Sequence, residues 1–133
     1  MSFHPTAIVS DRANIHSSVE IGPYSIVYSN VEIAEGTKIG SNCEIGLPTP
    51  LGDGSPLKIG ASSVIRSHSV FYECSTFGER LTTGHRVTVR ELTKAGDGFQ
   101  IGTLSDIQGH CRIGQYVKFH SNVHVGQHTT IED

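Results

Sequence analysis

Bulky apolar residues recur at every sixth position, and that period leaves little freedom in what the chain can fold into. Phe3, Val9, Ile15, Ile21, Val27, Ile33, Ile39 and Ile45 make up the first run. Four places after them stands a second series of small or β-branched residues: Ala7, Ala13, Val19, Ser25, Val31, Thr37 and Cys43. A strand turns successive side chains to opposite faces, so two inward positions in six describe a short strand followed by a turn. An amphipathic helix needs apolar residues at i, i+3, i+4 and i+7, and no stretch shows them. The glycines beside the large apolar residues (Gly22, Gly40, Gly60, Gly102, Gly114, Gly126) are expected to ease the corners, because glycine accepts positive φ. A single rung cannot bury its apolar side. A stack of rungs, about 4.8 Å apart, shares one continuous core. The expected fold class is all-β, a parallel β-helix.

The period breaks once. Residues 47–58, LPTPLGDGSPLK, are dense in Pro and Gly and read as a loop excursion. The repeat resumes two residues out of phase at Ile59 and continues through Ile65, Phe71, Phe77, Thr83, Val89, Ala95, Ile101, Ile107, Ile113, Phe119, Val125 and Ile131. Thr83 and Ala95 make Leu81–Phe99 its least regular part, and a local departure from a strict pattern is where function is sought. The length of 133 residues suits one domain, 1–133. Ten Lys and Arg against thirteen Asp and Glu make no basic footprint for nucleic acid. No apolar run reaches the roughly 18 residues of a membrane span, and no signal segment follows Met1, so a cytoplasmic protein is expected. The cysteines lack disulfide-framework and zinc spacing. Cys43 and Cys111 fall inward by register as core fillers, and Cys74 falls outward.

The doublets IGPYSIVYSNVEIAEGTKIGSNCEIG and FQIGTLSDIQGHCRIGQYVKFHSNVHVGQ resemble the hexapeptide-repeat acyltransferase superfamily, over nearly the whole chain. TTGHRVTVRE, GTLSDIQGHCRIG and HSNVHVGQ look most like bacterial members that acylate sugars or nucleotide-linked amino sugars. The opening Phe3-His4-Pro5-Thr6-Ala7 is similar to starts among the acyltransferases of lipid A synthesis. The resemblance implies a left-handed helix of triangular section, with three hexapeptides per coil and about seven coils. It also implies a homotrimer, acetyl- or acyl-coenzyme A as co-substrate without a permanently bound cofactor, and a small sugar acceptor. Further coils, often with a closing helix, are expected in the family beyond the point where this chain stops, Asp133. A shortened enzyme or a partner covering that end is therefore an expectation too.

Three hexapeptides per coil put residues 18 apart above one another. His85, after Gly84 in the irregular stretch and outward by register, is the first candidate for general base, since imidazole titrates near neutrality. His124 one rung from Asp106 is the second, a carboxylate-oriented imidazole. Lys94 and Arg112 stack as a cationic pair suited to coenzyme A phosphates. His110 stacks on His128 and His68 on Arg86, His120 takes a corner usually held by Gly, and Glu91 either orients a catalytic group or pairs across subunits. Each has a structural alternative: an interface histidine, a ladder pair, a solvated face. The 47–58 excursion borders an acceptor pocket or is inert. Two rival functions stay open: a non-catalytic trimeric scaffold, and a zinc carbonic anhydrase using three His at a subunit boundary. His85, His120 and His124 come near the spacing of the latter without matching it, and no metal site is expected.

Overall fold

A computed structural model describes residues 2–133, all of them in short strands and turns. Three parallel sheets form the walls. The first face runs from Ser2–Phe3 to Gln100–Ile101, the second from Ile8–Val9 to His124–Val125, and the third from Asn14–Ile15 to Thr130–Ile131. As far as Arg112–Ile113, consecutive strands of the chain lie on successive faces; in the last coil the first face is continued only by the isolated bridge Gln100–Lys118. The register is the one the spacing predicts: Glu20 opposite Lys38, Thr82 opposite Gln100, Lys94 opposite Arg112. The chain is a β-helix of about seven turns. Among the described residues, no helix is long and apolar enough to cross a membrane.

The core is the bore of this prism. Ile21, Ile39, Ile65 and Ile101 line one wall from inside, and Val27, Ile45, Phe71, Val89 and Ile107 the next, all buried. Phe71 meets Phe77 edge-on at 5.3 Å between ring centroids, and Phe99 meets Phe119 at 5.2 Å. Several inward hydroxyls at the corners are paired with carbonyls, as Ser25 Oγ donates to Gly40 at 2.6 Å and Ser63 Oγ to Gly60 at 2.8 Å. The irregular stretch keeps full register. Thr83 points into the core because its hydroxyl donates to the Gly84 carbonyl at 2.8 Å and accepts the Arg66 N–H at 3.0 Å. Its irregularity lies in side-chain chemistry, with no break in the backbone.

The corners correct the expectation about glycine. None of Gly22, Gly40, Gly60, Gly102, Gly114 and Gly126 has positive φ. The left-handed residue comes two places later and is usually not glycine: Tyr24, Asn42, Ser62, Leu104, Tyr116 and His128 all have φ between 53° and 65°. A left-handed residue with a side chain costs roughly 1–2 kcal/mol. Its own N–H recovers part of this by bonding to the coil below, as Asn42 does to Pro23 and Leu104 to His85. The glycines are instead selected by crowding. A Cβ on Gly60 would lie 2.3 Å from the Gly78 carbonyl oxygen, and one on Gly102 would lie 2.3 Å from the His120 carbonyl carbon.

The phase break is an eight-residue insertion: Ile33 pairs with Ile59 across it, twenty-six residues on instead of eighteen. Its entry at Gly46 has φ +83°, and a Cβ there would collide with Val31 at 2.1 Å. Asn30 donates to the carbonyls of Gly54 and Ser55 at 3.1 and 3.0 Å, and Glu73 accepts the Thr49 N–H at 3.3 Å, so the excursion is pinned to the wall. It covers Cys74, which the register places outward and the structure buries to 4% exposure. A Cβ on Gly52 would come within 2.5 Å of Cys74 Sγ. Cys43 and Cys111 are in the core, and burial pushes the Cys43 thiol pKa up.

Candidate functional site

The edge between the first and second faces gathers most of the candidate chemistry. Its corners pass through Ser67, His85, Thr103 and Ser121, each one rung above the last. His85 is exposed there and held from both sides. Its Nδ1 lies 2.7 Å from Ser67 Oγ below, and its backbone N–H donates to Thr103 Oγ1 above at 3.1 Å. In the tautomer that donates Nδ1–H to Ser67, the Nε2 lone pair is left facing outward, the form a general base needs.

Asp106 and His124 are neighbours in register on the second face, just past the same edge. His124 Nδ1 bonds Asp106 Oδ2, and Asp106 Oδ1 accepts from Gln108 Nε2 at 2.7 Å. The Gln108 bond, followed by the bond and charge of His124, holds the Asp106 carboxyl below the usual carboxylate range. The second nitrogen of His124, Nε2, stands 2.9 Å from Asn122 Oδ1. A carbonyl oxygen there calls for a proton on Nε2, whereas a neutral ring donating to Asp106 calls for the amide NH2 end of Asn122. Either way His124 has both nitrogens engaged. Neither nitrogen is left free to serve as a general base.

His85 and His124 thus share one edge, two rungs or about 10 Å apart along the axis. Lys94 and Arg112 do not join them. They stack on the third face as the spacing requires, half a coil away, beside a shallow groove lined by Thr76, Gly96 and Gln115. That separation is legible in the numbers, because nine residues of an eighteen-residue coil reach the opposite side of the prism.

The edge between the second and third faces carries His110, His128 and Glu91. His110 and His128 stack with ring centroids 4.8 Å apart and planes at 31°. Glu91 is 1% exposed and accepts from Arg90 Nη2 at 3.2 Å, while the Arg90 guanidinium lies 4.2 Å over the Tyr72 ring. Glu91 is therefore engaged within its own chain. Among the described residues no three His, Cys, Asp or Glu side chains converge as metal ligands within the chain.

Sequence reasoning passes over one feature, a cleft of about 260 Å³ on the first face that carries Arg66, Lys118 and His120. Its signal is in the corner column Arg66, Gly84, Gly102, His120, where side chains replace glycine at the two ends.

The family described as bacterial transferase hexapeptide (six repeats) matches residues 12–47. The chain is a hexapeptide-repeat β-helix. An acyl-[acyl-carrier-protein]–UDP-N-acetylglucosamine O-acyltransferase from Psychrobacter sp. (strain PRwf-1) is 63% identical over 35 residues, 26% of this chain and 14% of that protein. The UDP-N-acetylglucosamine O-acyltransferase of Moraxella catarrhalis RH4 superposes with a TM-score of 0.70 at 24% identity, over 100% of this chain and 63% of that one. The Arabidopsis UDP-N-acetylglucosamine acyltransferase gives 0.71 at 20% identity, over 98% of this chain and 57% of that one. A mutant perosamine N-acetyltransferase from Caulobacter crescentus, in complex with CoA and GDP-perosamine, gives 0.63 at 18% identity, over 95% and 54%. The solved structures show the fold. The chain spans less than two thirds of each solved relative. His85, Asp106 and His124 all lie outside the segment that the repeat family matches.

Proposed function

We propose that this hexapeptide-repeat chain is part of a cytoplasmic, homotrimeric acyltransferase. It would move an acetyl or acyl group from coenzyme A to a sugar or nucleotide-linked amino sugar. The observation that carries the reading is the edge geometry of His85, clamped at Nδ1 by Ser67 and open at Nε2, with the Asp106–His124 pair on the same edge. His85 Nε2 takes the proton of the acceptor hydroxyl or amine as that atom attacks the thioester carbonyl carbon. The tetrahedral oxyanion then collapses, the carbon–sulfur bond breaks, and the departing thiolate takes the proton back from His85. His124 supplies positive potential when both of its nitrogens are protonated, with Asp106 fixing the ring.

The single chain leaves this edge open, and its clefts are shallow. In a trimer a neighbouring copy supplies the second wall, and the neighbour's Lys94 and Arg112 can reach coenzyme A phosphates that their own edge cannot. Thiol release from acetyl-coenzyme A, followed with a panel of sugars and sugar nucleotides, tests the reading. Acceptor-dependent release by the wild-type protein and at least a hundredfold loss in His85→Ala are expected. Full turnover in His85→Ala refutes the base assignment. Absence of both release and coenzyme A binding by calorimetry, in a stable trimer, favours the scaffold instead.

A further inference from the structure

We infer that the first-face cleft is a binding site for a diphosphate group, held between Arg66 at one end and Lys118 with His120 at the other. The inference deepens the acyltransferase reading by giving one of its ligands an anchoring point, but binding there does not depend on turnover. The cleft is lined by Thr82, Gln100 and Ser121 as well as the cations, and it contains no carboxylate. In a chain of net charge −3 that absence is a local bias. Neither Arg66 nor Lys118 is in an ion pair among the described residues, whereas Lys38 on the same face is paired with Glu20 at 3.8 Å.

Arg66 is pre-set for this task. Its Nη1 donates to the Thr83 carbonyl at 2.8 Å, which draws the guanidinium up one rung and leaves its remaining N–H groups for a ligand. A fixed fork loses less entropy on binding than a free side chain. Between the guanidinium and the Lys118–His120 rung lies the rung of Gln100 and Gly102, where glycine contributes no side chain to the corner. The two ends are thus about 10 Å apart, two rungs. Charge-assisted contacts of roughly 2.8 Å at each end leave about 4 Å for the anion. That is the scale of the outer oxygens of a diphosphate. A lone phosphate reaches only one end.

Calorimetric titration of the full chain with inorganic pyrophosphate tests this, with orthophosphate and sulfate as comparators. Pyrophosphate is expected to bind at least tenfold tighter than either. Arg66→Met and Lys118→Met are each expected to weaken it at least tenfold, whereas Lys58→Met on the third face leaves it unchanged. Lys118 is exposed, so its variant reports on binding even if Arg66→Met fails to fold. Competition with UDP and with coenzyme A then separates an acceptor source of the diphosphate from a donor source. Equal, weak binding of all three inorganic anions, or pyrophosphate affinity untouched by Lys118→Met, overturns the inference. His85→Ala must keep pyrophosphate binding, so that loss of the transferase reading and loss of this site remain distinguishable.

Discussion

Replacing Gly60 by alanine puts a methyl group where the chain itself already stands. The new Cβ would lie 2.3 Å from the Gly78 carbonyl oxygen, 2.4 Å from its carbon and 2.6 Å from the Glu79 nitrogen. All of these are backbone atoms of the next coil, which cannot rotate away. Replacing Gly126 changes the same kind of corner, yet nothing lies within 4 Å of its new Cβ. Neither glycine has positive φ, so backbone conformation alone predicts equal, small effects at both sites. The crowding account predicts a split. Overpacking against fixed neighbours costs about 1–3 kcal/mol. At Gly126 the lower entropy of the unfolded chain stabilises by about 0.4–1 kcal/mol. Gly60→Ala gains the same entropy term, so urea unfolding with a common m value should separate the two variants by the overpacking cost alone, about 1–3 kcal/mol. Because each coil touches only its neighbours, hydrogen exchange in Gly60→Ala should quicken first in Lys58–Ile59 and Thr76–Phe77. Equal midpoints for the two variants would refute the steric explanation of the glycine column.

Arg90→Met strips the buried Glu91 carboxylate of its ion pair and should destabilise the protein by about 3 kcal/mol in urea unfolding, while Thr88→Ala nearby should do far less. Asp106 has a folded pKa below its unfolded value, so its stabilising contribution is present above the unfolded value, near pH 3.8, and is lost as pH falls through the folded one. Thermal melts of Asp106→Asn should accordingly lie below wild type at neutral pH and converge with it in strong acid. A constant gap across that range would mean that the charge of Asp106 is irrelevant to stability.

Much of the fold and part of the site can be read from the period. Because the coil is eighteen residues, Asp106 beside His124, Lys94 beside Arg112 and His110 on His128 follow from their numbers alone. The same arithmetic distinguishes side chains that share an edge from those half a coil apart. It does not report what leaves the lattice. Cys74 is outward by register, but the 47–58 excursion folds over it, and an aperiodic loop has no position that a period can assign. Glu91 has the spacing of an exposed corner. Arg90 placed over the Tyr72 ring and a glycine at 109 give it a buried socket instead.

By itself the sequence determined the β-helix, its register, the place of its one insertion and the stacking of its histidines, because a strict six-residue period maps directly onto strand alternation and coil height. Only the tertiary structure decided why the corner glycines are glycine. Their constraint is the backbone of the next coil at 2.3 Å, a contact between residues eighteen apart, and not the local φ that a single hexapeptide suggests. The hydrogen-bond partners of His85 and His124 likewise come only from the tertiary structure: Ser67 beside one ring, and Asp106 with Asn122 beside the other, have side-chain directions that no repeat specifies.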